Sequence, residues 1–218
     1  MVPQALRMAE KAYNKYHTRN PFEIIDSKRI KLKDFTSPDS LLGFYTVLNR
    51  KQIIGLNENA DPVQRLTGAI HELGHSLNDY KLAAAGSRFG DYRFFSLSCA
   101  PAEFNANLAG ADLCLDDDYI LESISYSDYE KLLAYIREHI GSCRTDHAKM
   151  QFEEEQMREF YECHEGMPSF EQLASELKVD IGVVKFKFKA LSYKNYELPN
   201  IPETRCDFLT NWRSTQQS

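Results

Sequence analysis

Residues 71–75 read His-Glu-Leu-Gly-His, and this pair of histidines four residues apart constrains the chain more than any other feature. Four residues is close to one helical turn, so in a helix both imidazoles leave the same face and can reach a single cation at about 2.0–2.1 Å, the distance that Zn²⁺ prefers. Glu72 is rotated off that line, where its carboxylate can meet a water activated by the metal instead of the metal itself. The flanks agree with a helix. Asp61, Pro62 and Gln64 form an N-cap, a first-turn proline and a capping-box partner. Leu66, Ile70 and Leu77 supply a packing face, which predicts a helix over 62–80 with the histidines at the base of a cleft.

A tetrahedral catalytic zinc takes a third protein ligand and keeps a fourth position open. A metzincin would carry glycine three residues and histidine six residues after His75, but Asn78 and Lys81 hold those positions. A carboxylate from a following helix remains. Glu103 stands 28 residues after His75, near the start of a helix expected over 101–115, and is the preferred third ligand; Asp79, Asp91 and Glu122 compete with it. Asp79 lies one turn past His75 on the same helix and suits an outer role. Asn107, four residues after Glu103, can bond the remaining ring N–H of a ligand histidine. Tyr80, Tyr92 and Arg93 are candidate oxyanion donors by position.

The rest of the chain places this motif in an α+β fold. Leu6, Ala9, Tyr13 and Tyr16 predict an amphipathic opening helix, and 24–35 is mixed in pattern. The runs 43–48 and 52–56, joined by Asn49-Arg50-Lys51, predict a hairpin. Residues 81–99 read as an irregular loop, 116–118 as an acidic turn, and 127–140 and 148–163 as helices. Ser169 and Gln172 make a capping box that opens a helix-turn-helix-like unit over 169–192, with its second helix over 182–191. The expected architecture is a mostly helical zincin-like core, residues 1–125, with a small antiparallel sheet beside the motif helix. A helical C-terminal region, 126–218, carries the helix-turn-helix-like unit.

Charge and cysteine usage narrow the partners. With 26 Lys+Arg against 32 Asp+Glu the formal net charge is −6, which offers no global field for nucleic acid. Five lysines face one acid, Asp180, between Lys178 and Lys194, yet Phe186 and Phe188 interleave them and spread the charge around the helix. Direct DNA binding is not expected; the unit is expected to pack on the core or hold a protein partner. The 5 cysteines are scattered without CxxC spacing, as in reduced cytosolic proteins. The first 16 residues carry no secretory apolar stretch, and no run approaches the roughly 18 apolar residues of a membrane span, so a cytoplasmic location is expected.

The stretch GFYTVLNRKQIIGLNENADPVQRLTGAIHELGHSLND, followed by PAEFNANLAGADLC, resembles the ImmA/IrrE family of metallopeptidases. In that family a hairpin precedes the zinc helix and a later helix carries Glu-x-x-Ala-Asn, matched here at Glu103, Ala106 and Asn107. The family pattern then continues with Phe-Ala and ends in Leu-Met-Pro, where this chain has Ala109-Gly110 and Cys114-Leu115-Asp116. The resemblance implies a zinc endopeptidase that cleaves a partner helix-turn-helix repressor, often encoded beside it on a prophage or mobile element, and so relieves repression. It implies His71, His75 and Glu103 as ligands and Glu72 as the base. Two other readings differ in class: a non-catalytic regulatory module that binds DNA or protein, and a toxin or effector protease with another target. Retention of Glu72 argues against the first, because a structural metal site has no use for a general base.

Overall fold

The computed structural model describes residues 2–37, 41–87, 100–164 and 167–203, and the backbone of 89–91. In chain order these form α1 (Gln4–Tyr16), α2 (Pro21–Ser27), β1 (Lys31–Phe35), β2 (Gly43–Leu48), β3 (Lys51–Asn57), α3 (Pro62–Asn78), α4 (Tyr80–Ala84), β4 (Phe89–Asp91) and α5 (Pro101–Cys114). There follow α6 (Asp117–Ser123), α7 (Tyr126–His139), α8 (Asp146–Cys163), α9 (Phe170–Leu177) and α10 (Ile181–Tyr193). Two compact units result: Met1–Asp116 with Phe170–Tyr196, and Asp117–Ser169 with Glu197–Ser218. The helix-turn-helix-like pair α9–α10 therefore belongs by its contacts with the motif helix. Among the described residues no helix is long and apolar enough to cross a membrane.

The fold is α+β, as the sequence predicts, but its sheet is mixed and not wholly antiparallel. Strand order is β1-β3-β2-β4, with β2 antiparallel to both β3 and β4 and β1 parallel to β3. β1 and β2 run in opposite directions one strand apart, and the hairpin fills the gap with β3. Its turn is two residues, Asn49 and Arg50, with φ of 49° and 62°; two left-handed residues match the twist of the flanking strands. One face of the hairpin, Gly43, Tyr45, Ile54 and Leu56, is buried, and α3 packs on both strands.

α3 begins where the sequence places it. The Asp61 side chain accepts from Gln64 N at 2.9 Å, and the Gln64 side chain accepts from Asp61 N at 3.2 Å. α5 is the helix around which the first unit is assembled, buried continuously from Ala106 to Leu113 because α1, α3 and α10 all pack on it. Small residues make that possible. A Cβ at Gly74 would lie 2.0 Å from the Ala106 carbonyl oxygen, and one at Gly110 would lie 2.4 Å from the Ile70 carbonyl oxygen. These contacts set α3 and α5 antiparallel with their backbones touching.

Charged side chains hold the ends of this assembly. Asp112 on α5 is buried and accepts from Lys187 Nζ at 2.9 Å and Lys194 Nζ at 2.6 Å; Lys187 is itself fully buried. Arg19 donates to the Leu113 and Leu115 carbonyls, each at 3.2 Å, and to Asp116 Oδ2 at 2.7 Å, satisfying the C-terminal end of α5. Phe104 and Phe186 meet edge to face at 5.4 Å, and Asp180 N donates to Thr67 Oγ1 at 3.1 Å. In the second unit Ile120, Ile124, Ile136 and Phe160 are buried, and the Tyr129 and Phe160 rings lie 5.2 Å apart.

Three segments differ from the sequence reading. Within 81–99, α4 and β4 stand where only a loop is predicted; β4 is three residues long and owes its order to pairing with β2. α2 and β1 occupy the mixed stretch, α2 opening with Asn20 Oδ1 accepting from Phe22 N at 3.0 Å. The acidic run is not simply a turn, since α6 begins at Asp117, where carboxylates favour a helix N-terminus. Gly110→Ala is expected to lower the unfolding free energy by about 2–3 kcal/mol, the cost of overpacking a core. Gly141→Ala, whose new methyl meets nothing within 4 Å, is expected to change it by under about 0.5 kcal/mol. Urea titration of both variants checks the contrast.

Candidate metal centre

His71 and His75 leave α3 one turn apart, with ring centroids 4.7 Å apart and planes at 85°. Each ring is fixed by its Nδ1: His71 Nδ1 lies 2.6 Å from Asn107 Oδ1, and His75 Nδ1 lies 2.8 Å from Asp79 Oδ2. Both partners are acceptors, so each Nδ1 carries the proton and each Nε2 presents its lone pair. The two Nε2 atoms are 3.2 Å apart. Glu103 Oε2, reaching over from α5, lies 3.2 Å from His71 Nε2 and 3.1 Å from His75 Nε2.

Three lone-pair-bearing atoms at mutual distances of 3.1–3.2 Å repel one another unless positive charge sits among them. The spacing suits a metal. Bonds of about 2.0–2.1 Å in a tetrahedron put neighbouring ligand atoms roughly 3.3–3.4 Å apart, close to the triangle found here. The histidines are 0–1% exposed while the Glu103 side chain is 23% exposed, so the centre opens to solvent from the α5 side. Burial opposes charge on His75, but the hydrogen bonds to Asp79 and Glu103 prevail and hold its pKa above the ordinary value. Glu103 is likewise penalised by burial, yet both histidines together draw its carboxyl well below the usual carboxylate range. The surroundings favour a positive charge at the centre of the triangle.

Glu72 is fully buried and points to the sheet side of α3, where Gly43 faces its carboxylate. One atom from each of His71, Glu72 and His75 lies within 4.8 Å of the others. Of the competing carboxylates, Asp79 bonds the back of His75, Glu122 lies in α6 of the second unit, and the side chain of Asp91 is outside the described residues. Tyr80 opens α4 directly after Asp79 and is 40% exposed; Tyr92 and Arg93 are outside the described residues. The sequence reading gives no role to Gly74 and Gly110 in bringing Glu103 to the histidines. Small residues one turn apart on α5, Ala106 and Gly110, are the signal that could have shown it.

A family model described as the IrrE N-terminal-like domain, Peptidase_M78, matches residues 22–142, a span that includes both histidines, Glu72 and Glu103. An uncharacterised immunity region protein 2 from Bacillus phage phi105 is 30% identical over 67 residues. That match covers 31% of this chain and 42% of the phage protein, so less than half the length of that relative is spanned. No solved structure matches the chain.

Titrating metal-stripped protein with Zn²⁺ is expected to raise its melting temperature, and His71→Ala, His75→Ala and Glu103→Ala are each expected to abolish the rise at equimolar metal. Asn107→Ala and Asp79→Ala retain the triangle but release a ring, and zinc affinity is expected to fall by about 10- to 100-fold in each. Full zinc affinity in Glu103→Ala would remove α5 from the ligand set.

Proposed function

Because the chain belongs to the Peptidase_M78 family of IrrE N-terminal-like peptidases, we propose that it is a zinc-dependent endopeptidase of the cytoplasm that cleaves a partner helix-turn-helix repressor and so relieves repression. The observation that carries the proposal is the triangle of two Nε2 atoms and one carboxylate oxygen, 3.1–3.2 Å on each edge, with the buried Glu72 beside it. Similarity to an immunity-region protein of a phage supports a regulatory partner of the kind that phages encode.

His71, His75 and Glu103 would hold the metal, which when bound supplies Lewis acidity to a water and to the scissile carbonyl. Asn107 and Asp79 keep the two rings in the tautomer and orientation that present Nε2. Glu72, on the neighbouring face of the same helix, takes a proton from the attacking water and delivers it to the leaving nitrogen. A carboxylate suits both transfers. Among the oxyanion candidates, Tyr80 remains the one whose side chain is described; Tyr92 and Arg93 are proposed with it from sequence position. The α9–α10 pair lies in the same compact unit as the motif helix, with Lys187 and Lys194 engaged with Asp112.

Glu72→Gln preserves size and one hydrogen-bonding oxygen but removes the base. Its zinc content is expected to match that of the unsubstituted protein, while cleavage of a helix-turn-helix repressor substrate falls by a factor of about 10² or more. Mass spectrometry of the repressor after incubation, with metal analysis of the same sample, reads both quantities. Undiminished cleavage by Glu72→Gln would assign the base elsewhere.

A further inference from the structure

β2 opens on a glycine that faces the Glu72 carboxylate. A Cβ built at Gly43 would lie 3.0 Å from Glu72 Oε1, 3.3 Å from Glu72 Cγ and 3.2 Å from the Gly55 carbonyl oxygen. Backbone conformation does not demand glycine here, since Gly43 is not among the residues of positive φ. Retreat of the strand is blocked on both sides, because Gly43 pairs with Leu56 of β3 and with Asp91 of β4. Tyr45, Ile54 and Leu56 beside it are fully buried. A glycine inside a strand has no side chain to pack and more chain entropy to lose, so its presence at this position needs another cause.

We infer that Gly43 is a positioning residue for Glu72: the missing side chain leaves the space that the carboxylate occupies, and the strand backbone sets how far the carboxylate can swing from the two histidines. Gly55, one strand over, serves a different end. A Cβ there would strike the Phe44 ring at 2.2–2.8 Å, on the opposite face of the sheet, away from Glu72. The role of Gly43 in catalysis rests on the assignment of Glu72 as the base, whereas the steric coupling between the two residues does not.

The test is a mutant cycle on the full-length chain: unsubstituted, Gly43→Ala, Glu72→Ala and the double variant, melted in EDTA and again with equimolar Zn²⁺. Gly43→Ala is expected to lower the melting temperature by about 4 °C or more, and by less than half as much when Glu72 is already alanine. Glu72→Asp, whose carboxylate is one methylene shorter, is expected to relieve Gly43→Ala in the same direction. With the repressor as substrate, Gly43→Ala is expected to lower kcat by about tenfold or more through misplacement of the base, with KM and zinc affinity changed less than about twofold. An equal melting loss in both backgrounds would overturn the inference and lay the collision on the Gly55 carbonyl. A Gly43→Ala chain that fails to fold whether or not Glu72 is present would overturn it as well, while folding restored by Glu72→Ala would support it. Absence of cleavage by the unsubstituted protein would count against the proposed function and leave the melting cycle to decide the placement of Glu72.

Discussion

The backbones of α3 and α5 touch at Gly74 against the Ala106 carbonyl and at Gly110 against the Ile70 carbonyl, and the site takes its dimensions from that contact. Helices packed through ordinary side chains keep their axes about 8–10 Å apart. At that separation a glutamate on one helix and a histidine on the other would meet only by chance of rotamer. With glycine at each crossing point, His71 faces Asn107 and His75 faces Glu103 in the same antiparallel register, and short polar side chains suffice to close the triangle. The glycine inside the His-Glu-x-x-His motif thus acts on the opposite helix.

A helix buried along eight consecutive residues, Ala106 to Leu113, has no solvent to satisfy its polar groups. Asp112 lies in that stretch and would be costly without partners. Lys187 and Lys194 provide them, and Arg19 takes up the carbonyls at the C-terminal end. A buried ion pair is weak evidence for net stability, but removing one partner is strongly destabilising. α10 is therefore fixed in one register on α5, and its N-cap Asp180 leans on Thr67 of α3. The second helix of the helix-turn-helix-like unit has most of its apolar residues and Lys187 buried in the first unit.

What could be read from the sequence follows how local each signal is. The capping box at Asp61 and Gln64, the histidine spacing and the β-branched hairpin runs lie within a few residues of the structure they form, and those elements stand as the sequence predicts. β1 carries no such signal: Lys31 and Lys33 are exposed, and its place comes from parallel pairing to a strand 20 residues on. β4 is too short to show a period. Glu103 is intermediate in kind. Its helix is legible from Pro101, but its meeting with the histidines depends on a helix contact between residues 32 and 40 positions apart, 74 with 106 and 70 with 110, and became readable through family resemblance. Lys187 looks like part of a basic patch; the clue to its burial was Asp112, a lone acid in an apolar run, on another helix.

Charge around the triangle connects these supports to the chemistry. Asp79 and Glu103 press negative charge on His75 from its two ring nitrogens, and the pull of the histidines keeps Glu103 ionised. The Nδ1 protons are committed to Asn107 and Asp79, so Glu103 can be served at the Nε2 side only by extra protons on the rings or by a cation shared among all three atoms. Protons and metal thus compete for the same lone pairs, and metal affinity must fall as acid charges the rings. A divalent ion would answer the carboxylate and both rings at once, whereas a single proton on one Nε2 can be directed at only one of the other two atoms. The same negative surroundings that hold the His75 pKa above its ordinary value favour a small, doubly charged ion at the centre. Glu72 is held against the sheet at Gly43, with one ligand atom within 4.8 Å of one from each histidine.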